Sequence, residues 1–339
     1  MDNLPLVSII TPSYNQAAYL ENTLRSVFAQ DYPRIEYLVV DGGSNDSSVD
    51  IIKRYAHRLS WWVSERDAGQ AEAINKGMRA SKGEIIGWLN SDDLYLPGAV
   101  SGAVAALQRN KAAGMVYSNA VSIDSHGRPT NLLVFEKWGL LDLMSFRIIC
   151  QPAVFMRREI FERAGMLDAS FHFMLDHHLW IRMCRLAPID YASDKFWAAA
   201  RMHAGAKNVS QAEGFARETQ LLLAWMKSQA DLGEIIRQNR QKVEAGAHRL
   251  RGRYLLDGGL PRQALVEYVH AFRLMPSYAL KHWRRMIYAV LCLVGGKQLG
   301  DLYYLLKRSR PPAFPVPLPP EGWPGIQLTE NGASRGDRK

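Results

Sequence analysis

The sequence predicts an α/β fold with a mostly parallel sheet flanked by helices, followed by a C-terminal α-helical extension. Two observations predict it. Short apolar runs alternate with amphipathic helical patterns through the first 120 residues, which is typical of parallel sheets covered on both faces. After Ser210 the pattern is wholly helical. The composition, 47% hydrophobic and 22% charged in 339 residues, suits a globular chain of one to three domains.

The elements of the first half follow from the spacing of apolar residues. Leu20, Leu24 and Val27 lie on one face of a helix, and Pro97 suits the first turn of another. Strands are predicted at 7–11, 35–40, 60–64, 84–89 and 115–121, and helices at 18–29, about 46–55 and 70–80, with another starting at Pro97.

The second half is less regular. A strand is predicted at 152–156, followed by helices at 158–164 and 176–186. Residues 250–276 carry two amphipathic segments separated by Gly258 and Gly259, which predicts a helical hairpin. The stretch 311–320 holds six prolines in ten residues and predicts an extended, poorly structured tail.

Acidic residues follow three of the predicted strands directly. Asp41, Asp67 and the pair Asp92 and Asp93 stand at strand ends, and the carboxyl ends of parallel strands meet at one edge, where ligands bind in such sheets. Adjacent carboxylates repel each other and resist desolvation, so they need a partner. A divalent cation carrying a diphosphate suits these oxygen ligands, which favours a nucleotide-diphosphate transferase.

The cysteines and the apolar runs indicate the cellular compartment of the protein. Three cysteines without metal or redox spacing indicate a reducing compartment. No signal-peptide pattern opens the chain, and the apolar run 286–294 is far shorter than the roughly 20 residues needed to span a bilayer. The expectation is a cytoplasmic protein.

Four segments carry a family resemblance: 7–15 (VSIITPSYN), 39–46 (VVDGGSND), 75–77 (NKG) and 90–93 (NSDD). Together and in this order they resemble family 2 glycosyltransferases, which have the Rossmann-like GT-A fold, and among them the bacterial WcaA-like type that makes cell-surface polysaccharide. The resemblance covers roughly residues 5 to 210. It implies a GT-A domain over 1–210, with a nucleotide-sugar half at 1–120 and an acceptor half at 121–210.

The resemblance implies a set of nucleotide-sugar-binding residues. Asp41 would accept a hydrogen bond from the base, although capping the next turn and helix is an alternative. Gly69 would permit close backbone approach beside Asp67, and Asn75 either binds near the diphosphate or shapes a helix end. The full set is Pro12, Tyr14, Asn15, Asp41, Asp67, Gly69, Asn75 and Asp92.

A metal site follows from the same resemblance. Mg²⁺ or Mn²⁺ would be held by Asp92, Asp93 and His203 and would stabilise the leaving nucleotide. The family usually has an acid-x-acid sequence, and Asn90 stands in its first place, which leaves the number of ligands open.

The segment 173–182 (FMLDHHLWIR) resembles the family's Glu-Asp-x-x-Leu-Trp-x-Arg pattern, with Leu175 in place of the first acid. Asp176 then matches the general base of an inverting displacement, with a helix-capping role as the alternative. His177 and His178 point about 100° apart on a helix and are expected to pack or hydrogen-bond rather than share a metal ion.

The C-terminal region is strongly basic. Between Arg273 and Arg310 there are eight Lys and Arg against one acid, Asp301, within a net charge of +9. Aromatic residues interleave with these charges over 281–310, which is typical of a helix at an anionic membrane surface. A helical extension at 211–310 would then place the protein peripherally on the inner face of the cell membrane, with a solvated basic face as the alternative. The remainder, 311–339, is expected to be disordered.

The sequence therefore predicts an inverting, metal-dependent transfer from a nucleotide-diphosphate sugar, UDP-linked, to a polysaccharide or lipid-linked oligosaccharide, with no nucleic acid partner. Two alternatives stay open. A nucleotidyltransferase would also use metal carboxylates, but a glycine-rich basic phosphate loop is missing after the first strand. A non-catalytic membrane-associated assembly protein would account for Asn90 and Leu175.

Overall fold

The computed structural model describes residues 4–203, 205, 207, 211–294, 314–319 and 322–327. It contains one nine-stranded sheet and a C-terminal group of helices, which confirms the predicted fold class. The strands are β1 (Val7–Ser13), β2 (Ile35–Asp41), β3 (Trp61–Ser64), β4 (Ile85–Trp88), β5 (Leu94–Tyr95), β6 (Met115–Ile123), β7 (Pro129–Leu133), β8 (Val154–Arg157) and β9 (Ile189–Arg201).

Seven helices accompany the strands and five more follow them in this part of the chain. The first group is α1 (Ala17–Phe28), α2 (Ser48–Tyr55), α3 (Gln70–Ala80), α4 (Ala99–Arg109), α5 (Leu140–Met144), α6 (Arg158–Arg163) and α7 (Leu175–Cys184). The second group is α8 (Ala212–Ser228), α9 (Ala230–Gln238), α10 (Arg240–Asp257), α11 (Pro261–Leu274) and α12 (Pro276–Leu280), after which residues 283–294 are also helical.

The strand order, β3-β2-β1-β4-β8-β6-β9-β5 with β7 on β6, brings the acidic strand ends together. Strands β1 to β4 are all parallel, and the register places Ser13 beside Asp41 and Asp41 beside Ser64. Strand β8 runs antiparallel between β4 and β6 and so joins the two halves of the sheet. The loops after β1, β2, β3 and β4 therefore meet at one edge.

Three strands, β5, β7 and β9, were not predicted from the sequence. The 13-residue β9 pairs parallel with β6, and the shorter β7 pairs antiparallel with it. In β9 the register slips after Ala192 and resumes at Phe196, so Asp194 and Lys195 interrupt the alternation that would mark a strand. Strand β9 carries Arg201 and leads to His203, so this omission concerned the site.

Part of the proline-rich tail packs on the sheet, whereas the sequence predicts disorder there. Residues 314–319 and 322–327 pack on the sheet, where Phe314, Val316 and Ile326 contact the apolar side chains of β5, β6 and β9. Trp323 is 8% exposed and its indole N–H donates to the Tyr95 carbonyl oxygen at 2.8 Å. The apolar side chains between the prolines pack against the sheet, which the proline content alone does not predict. The remainder of 311–339 lies outside the described residues.

The C-terminal helices continue the main core. Helices α10 and α11 form the predicted hairpin, which begins ten residues earlier than expected. Gly246 of α10 lies against the backbone carbonyl of Ser145, and a Cβ there would stand 2.1 Å from that oxygen. Leu222, Leu250 and Tyr268 are buried in the same apolar cluster as the α7 side chains Leu179 and Trp180. In the portion of the chain that the structure describes, no helix combines the length and apolar character needed to cross a membrane.

Candidate active site

The loops that follow β1 and β2 are tied together by hydrogen bonds. Asn15 adopts φ 52°, its backbone N–H donates to the Ser44 hydroxyl at 2.8 Å, and its side-chain oxygen accepts from the Asn45 N–H at 2.8 Å. Pro12 is buried within β1, whereas Tyr14 is 58% exposed. Asn15 therefore shapes the loop, and Tyr14 is the side chain that this loop leaves open to a ligand.

Asp41 is fully buried, and its carboxylate organises the turn that follows β2. It accepts hydrogen bonds from the Gly43 N–H (3.1 Å), the Ser44 N–H (2.9 Å), the Ser44 hydroxyl (2.5 Å) and the Ser64 hydroxyl (2.7 Å). A carboxylate offers about four lone-pair sites. Since these four donors use them, the geometry favours the turn-capping role over direct contact with a base.

Asp67 lies next to Asp41, across Gly42. A Cβ at Gly42 would stand 2.9 Å from Asp67 Oδ2, so a side chain there would displace this carboxylate. Asp67 Oδ1 accepts the Gly69 N–H at 2.9 Å. Burial raises the pKa of Asp67, and the carboxylates of Glu72 and Asp41 add to the shift. Asp67 is thus the half-buried acceptor at this position.

The backbone conformation of Gly69 by itself calls for glycine. An added Cβ would meet no protein atom within 4 Å, and the close approach of a ligand to this residue stays a prediction. The residue has φ 119° and ψ −177°, a conformation that side chains rarely adopt. Gly69 is therefore needed for the backbone turn that leads from Asp67 into α3.

Asn75 points away from the acidic edge. Its amide nitrogen donates to the Leu167 carbonyl oxygen at 2.8 Å, and its oxygen accepts the Leu167 N–H at 3.1 Å. Asn75 is 8% exposed. The structure therefore supports the structural alternative, in which Asn75 fixes the loop after α6, rather than a contact with the nucleotide sugar. Lys76 forms an ion pair with Glu65 at 2.7 Å.

Asn90, the departure from the acidic pattern, is the centre of a polar network. Its side-chain oxygen accepts from the Trp88 indole N–H and from Gln70, both at 2.8 Å. Its amide nitrogen donates to Gln151 at 3.1 Å and to the Asp93 carboxylate at 3.3 Å. An aspartate here would lose both donations and would face Asp93 charge to charge. The local hydrogen bonding therefore accounts for the amide.

Asp92 and His203 form a pair at the edge of the sheet. The Asp92 Oδ2 and His203 Nε2 atoms lie 3.1 Å apart, and the Asp92 side chain is 20% exposed. The His203 ring packs on Tyr19 with centroids 4.7 Å apart, and the buried Arg201 donates through Nε to the Asp92 carbonyl oxygen at 2.9 Å. These contacts fix both the carboxylate and the imidazole.

Asp93 is turned into the protein, contrary to the prediction that it supports the metal. Its Oδ1 accepts the Arg201 backbone N–H at 2.9 Å and its Oδ2 faces the Asn90 amide. It is 6% exposed, and burial together with the neighbouring Asp92 charge holds the pKa of Asp93 well above its usual range. Both oxygens are engaged, so Asp93 is better placed to connect β9 to the loop than to bind a cation.

The donors that remain fit a metal ion only in part. Within the described ranges, no group of three His, Cys, Asp or Glu side chains is placed to hold an ion. Asp92 and His203 supply two donors side by side. Mg²⁺ commonly takes one or two carboxylates and completes its shell with water and substrate phosphates, so this pair fits as the protein share of such a site.

Asp176 lies in the first turn of helix α7, and its surroundings suit a proton acceptor. Burial, with a smaller contribution from the Glu218 carboxylate, raises the pKa of Asp176 to about 6. The charges of the Asp93 and Asp176 carboxylates both add to the burial that raises the pKa of the Cys150 thiol.

Glu218 anchors the start of α7 and was missed by the sequence reading. This α8 residue is 2% exposed, and its carboxylate accepts the backbone N–H groups of His172, Phe173 and Met174, each at 2.8 Å. An anion at a helix N-terminus satisfies N–H groups that lack partners within the helix. No local sequence signal marks this contact, because it joins residues more than forty positions apart.

The two histidines after Asp176 are buried, as predicted. His177 contacts the Leu143 carbonyl oxygen at 2.8 Å, and burial lowers the pKa of His177 to about 4. His178 packs against Phe171 and Trp225, and burial lowers its pKa to about 3. Leu175, the other departure from the family pattern, is 5% exposed within the apolar core.

Lys207 is a further cation that the sequence reading did not select. Its ammonium group donates to Gln70 at 2.9 Å. Desolvation lowers the pKa of Lys207, and the carboxylates of Glu218, Asp92 and Asp67 oppose that shift. The sequence feature that could have pointed to Lys207 is its position four residues after His203. Lys207 thus stands among the acids at this edge of the sheet.

Comparison with known proteins relates the chain to glycosyltransferases. Residues 8–165, just under half of the chain, match the profile of Glycosyl transferase family 2. Membership of the whole chain in this family stays a prediction, as does the WcaA-like subtype.

Curated relatives of this chain include an uncharacterized glycosyltransferase of Rickettsia typhi, 31% identical over 211 residues, which cover 59% of this chain and 64% of that protein. The putative teichuronic acid biosynthesis glycosyltransferase TuaG of Bacillus subtilis is 40% identical over 94 residues, 27% of this chain and 37% of that protein. The chain spans 31% to 65% of the length of the first five curated relatives that it matches.

Solved structures share the fold. TarS 1–349 of S. aureus in complex with UDP has a TM-score of 0.59 at 18% identity, covering 90% of this chain and 93% of that chain. The mannosyltransferase PcManGT of Pyrobaculum calidifontis in complex with GDP-Man and Mn²⁺ has a TM-score of 0.58 at 20% identity, covering 91% and 88%. At these identities the likeness shows the fold alone.

Proposed function

We propose that the protein is an inverting glycosyltransferase that moves a sugar from a UDP-sugar to a saccharide or lipid-linked acceptor. The observations that carry the proposal are the pairing of Asp92 with His203 and the raised pKa of Asp176, which is about 6. A base that titrates near neutral pH suits deprotonation of a hydroxyl. The position of Asp176 in the first turn of α7 supports this role.

The transfer step uses one base and one leaving group. The Asp176 carboxylate takes the proton from the acceptor hydroxyl while that oxygen forms a bond to the anomeric carbon. The bond from this carbon to the nucleotide diphosphate breaks from the opposite face, so the configuration inverts. Lys207 is placed to meet the negative charge that develops on the diphosphate.

Asp92 and His203 would hold Mg²⁺ or Mn²⁺, which neutralises charge on diphosphate oxygens when bound. The Mn²⁺ in the PcManGT complex supports this choice of cofactor. Asp93 serves in this proposal as the residue that positions the Asp92 loop through Arg201.

In this proposal the base of the donor binds beside the turn that follows β2, next to Asp41 and Asp67. Asp67 has the better access for a base N–H, because the oxygens of Asp41 are used within the turn. Tyr14 is exposed beside this turn and offers a ring to the base. UDP is proposed because TarS, which shares the fold, was solved with UDP and with UDP-GlcNAc.

The acceptor is proposed to be a cell-surface polymer or its lipid-linked precursor, as the name of the relative TuaG suggests. Peripheral attachment to the inner face of the cell membrane would bring such an acceptor within reach. Trp283, Ile287 and Val290 are exposed at helical spacing in 283–294, and Lys281 and Arg284 flank them. The rest of 281–310 lies outside the described residues.

The test is metal-dependent release of UDP from a panel of UDP-sugars, followed by transfer to a simple saccharide. The wild-type protein should release UDP slowly with Mn²⁺ present, and Asp92→Ala should abolish release. Asp50→Ala, which removes an exposed acid of α2, serves as the matched control and should keep full activity. Failure of the wild type to bind UDP with Mn²⁺ or to release it would overturn the proposal and favour the non-catalytic alternative.

A further inference from the structure

A small basic cavity lies within the C-terminal helices and takes no part in the proposed transfer. Its volume is about 100 Å³, and it is lined by Arg249, Arg253, Tyr268, His282 and Arg285. These residues come from α10, α11, the turn before 283–294 and that last helix. A volume of this size equals the share of about three water molecules in the liquid.

Several donors that line this cavity lack hydrogen-bond partners in the structure. Arg249 is 7% exposed and Tyr268 is fully buried, and neither Arg249 Nε nor the Tyr268 hydroxyl has a partner. The same holds for His282 Nε2. A buried polar group without a partner costs on the order of 1–3 kcal/mol, so three such atoms around one space call for an occupant.

The lining of the cavity is rich in positive charge. Asp257 pairs with two of the lining arginines, at 2.7 Å from Arg285 and 3.6 Å from Arg253. Arg249 uses one guanidinium nitrogen on the Phe146 carbonyl oxygen at 2.6 Å, which is a neutral partner. Arg249 therefore brings a buried positive charge to the cavity.

Neighbouring groups show the same excess of positive charge. Burial lowers the pKa of His282 to about 4, and the charges of Arg249, Arg285, Arg147 and Arg253 lower it in the same direction. A negative ion in the cavity would reverse this effect.

We propose that this cavity is an oxyanion site that binds a phosphate group. Arginine offers donors without acceptors, and guanidinium groups match phosphate oxygens in a two-pronged geometry. The donors converge from three helical segments rather than from one plane, which suits a tetrahedral anion better than a flat carboxylate. The phosphate can arrive as a free ion or as the headgroup of an anionic lipid, and the experiment separates these two sources.

The first arm measures thermal unfolding of the full chain in rising inorganic phosphate, with sodium chloride at equal ionic strength as reference. The wild type should gain a saturable rise in Tm with phosphate alone, because a ligand of the folded state stabilises it. Tyr268→Phe and Arg253→Gln should each weaken the apparent phosphate affinity by about tenfold, the value of one charge-assisted hydrogen bond.

Tyr268→Phe is informative because it removes a hydroxyl that has no partner. Without phosphate this variant should unfold at or above the wild-type temperature, so a loss of phosphate response cannot be attributed to misfolding. Arg262→Gln is the matched control, since Arg262 is exposed on α11 outside the cavity and its loss removes one positive charge. The control should respond to phosphate as the wild type does.

The second arm is co-sedimentation with phosphatidylcholine vesicles that contain or lack phosphatidic acid. Phosphate-dependent stabilisation that is lost in both variants supports a site for the free ion. Binding only to phosphatidic acid vesicles, lost in the same variants, supports a lipid headgroup. An equal phosphate response in wild type and variants, or no response in either arm, would overturn the proposal. The Asp92→Ala protein should behave as wild type in both arms, so the proposed transfer is tested separately.

Discussion

Asp176 combines two properties that an exposed aspartate lacks. Its carboxylate is held at the first turn of α7, and burial raises its pKa to about 6. It is therefore mostly ionised at neutral pH yet more basic than a solvated carboxylate, which is the compromise that general-base catalysis requires.

Replacement of this base should remove the acid limb of the pH profile. Transfer by the wild type should fall as the pH drops through about 6, because the protonated carboxyl cannot accept the proton. Asp176→Asn should lower the rate by roughly 10²–10⁴-fold and leave it flat across that range. Initial rates between pH 5 and pH 8 check this, with Asp50→Asn as the control. A wild-type limb that persists in Asp176→Asn would assign the base to another group.

The same raised pKa has a consequence for stability. A carboxyl that binds its proton more tightly when folded destabilises the native state once it ionises, so the cost grows as the pH rises from about 4 to 6. Asp176→Asn should therefore be more stable than the wild type at pH 7.5, by up to about 3 kcal/mol, and equal to it below pH 4. Urea unfolding at the two pH values measures the difference. Equal stability at pH 7.5 would contradict the burial of this group.

Asn90 offers a test of why the acidic pattern is altered here. Asn90→Asp removes the donors to Gln151 and Asp93 and should cost about 1–3 kcal/mol of unfolding free energy. Urea denaturation checks this, with the exposed Asn131→Asp as a control of equal charge change. Native stability together with tighter Mn²⁺ binding in Asn90→Asp would show that the position is an unused metal ligand.

At the level of elements, a side chain of helix α8 anchors the start of helix α7. The Glu218 carboxylate accepts three backbone N–H groups just before α7, the helix that carries Asp176. Glu218 and Asp176 are far apart in the sequence, so only the fold brings their two helices together. We therefore expect that removal of the C-terminal helices would displace Asp176, the proposed base.

Glu218→Gln separates positioning from simple stability. The neutral amide should weaken the helix anchor by about 1–3 kcal/mol. It also removes a negative charge that raises the pKa of Asp176, so the acid limb of the rate profile should move to lower pH. Rate profiles of wild type and variant at a temperature where both are folded measure the shift. A less stable variant with an unmoved limb would leave Glu218 only a structural role.

Across the whole molecule, the proline-rich C-terminal segment closes the edge of the sheet. Trp323→Ala removes a buried indole and its hydrogen bond to Tyr95, and should lower the unfolding free energy by about 3 kcal/mol. Trp283→Ala, at a position that is 46% exposed, should change it little. Chemical unfolding of both variants tests this. Equal effects would mean that the tail does not pack on the sheet in solution.

Local sequence pattern predicted most of the fold, because buried strands and amphipathic helices each show a characteristic spacing of apolar residues. Strands β1 to β4 and helix α3 were found within a residue or two of their bounds. Strand β9 was not predicted, because its register slip and its run of alanines hide the alternation of apolar and polar residues. The packed tail was missed because Trp323 and Phe314 are isolated apolar residues with no repeat.

The sequence by itself determined the α/β architecture and the acids at the strand ends, because these depend on local order and on residue chemistry. Only the tertiary structure decided what each acid can do. Asp41 is consumed by its turn, Asp93 by Arg201, while Asp92 meets His203 from the far end of β9. The physical reason is that hydrogen-bond partners and burial come from residues distant in the chain, and these set which carboxylates stay open to a ligand.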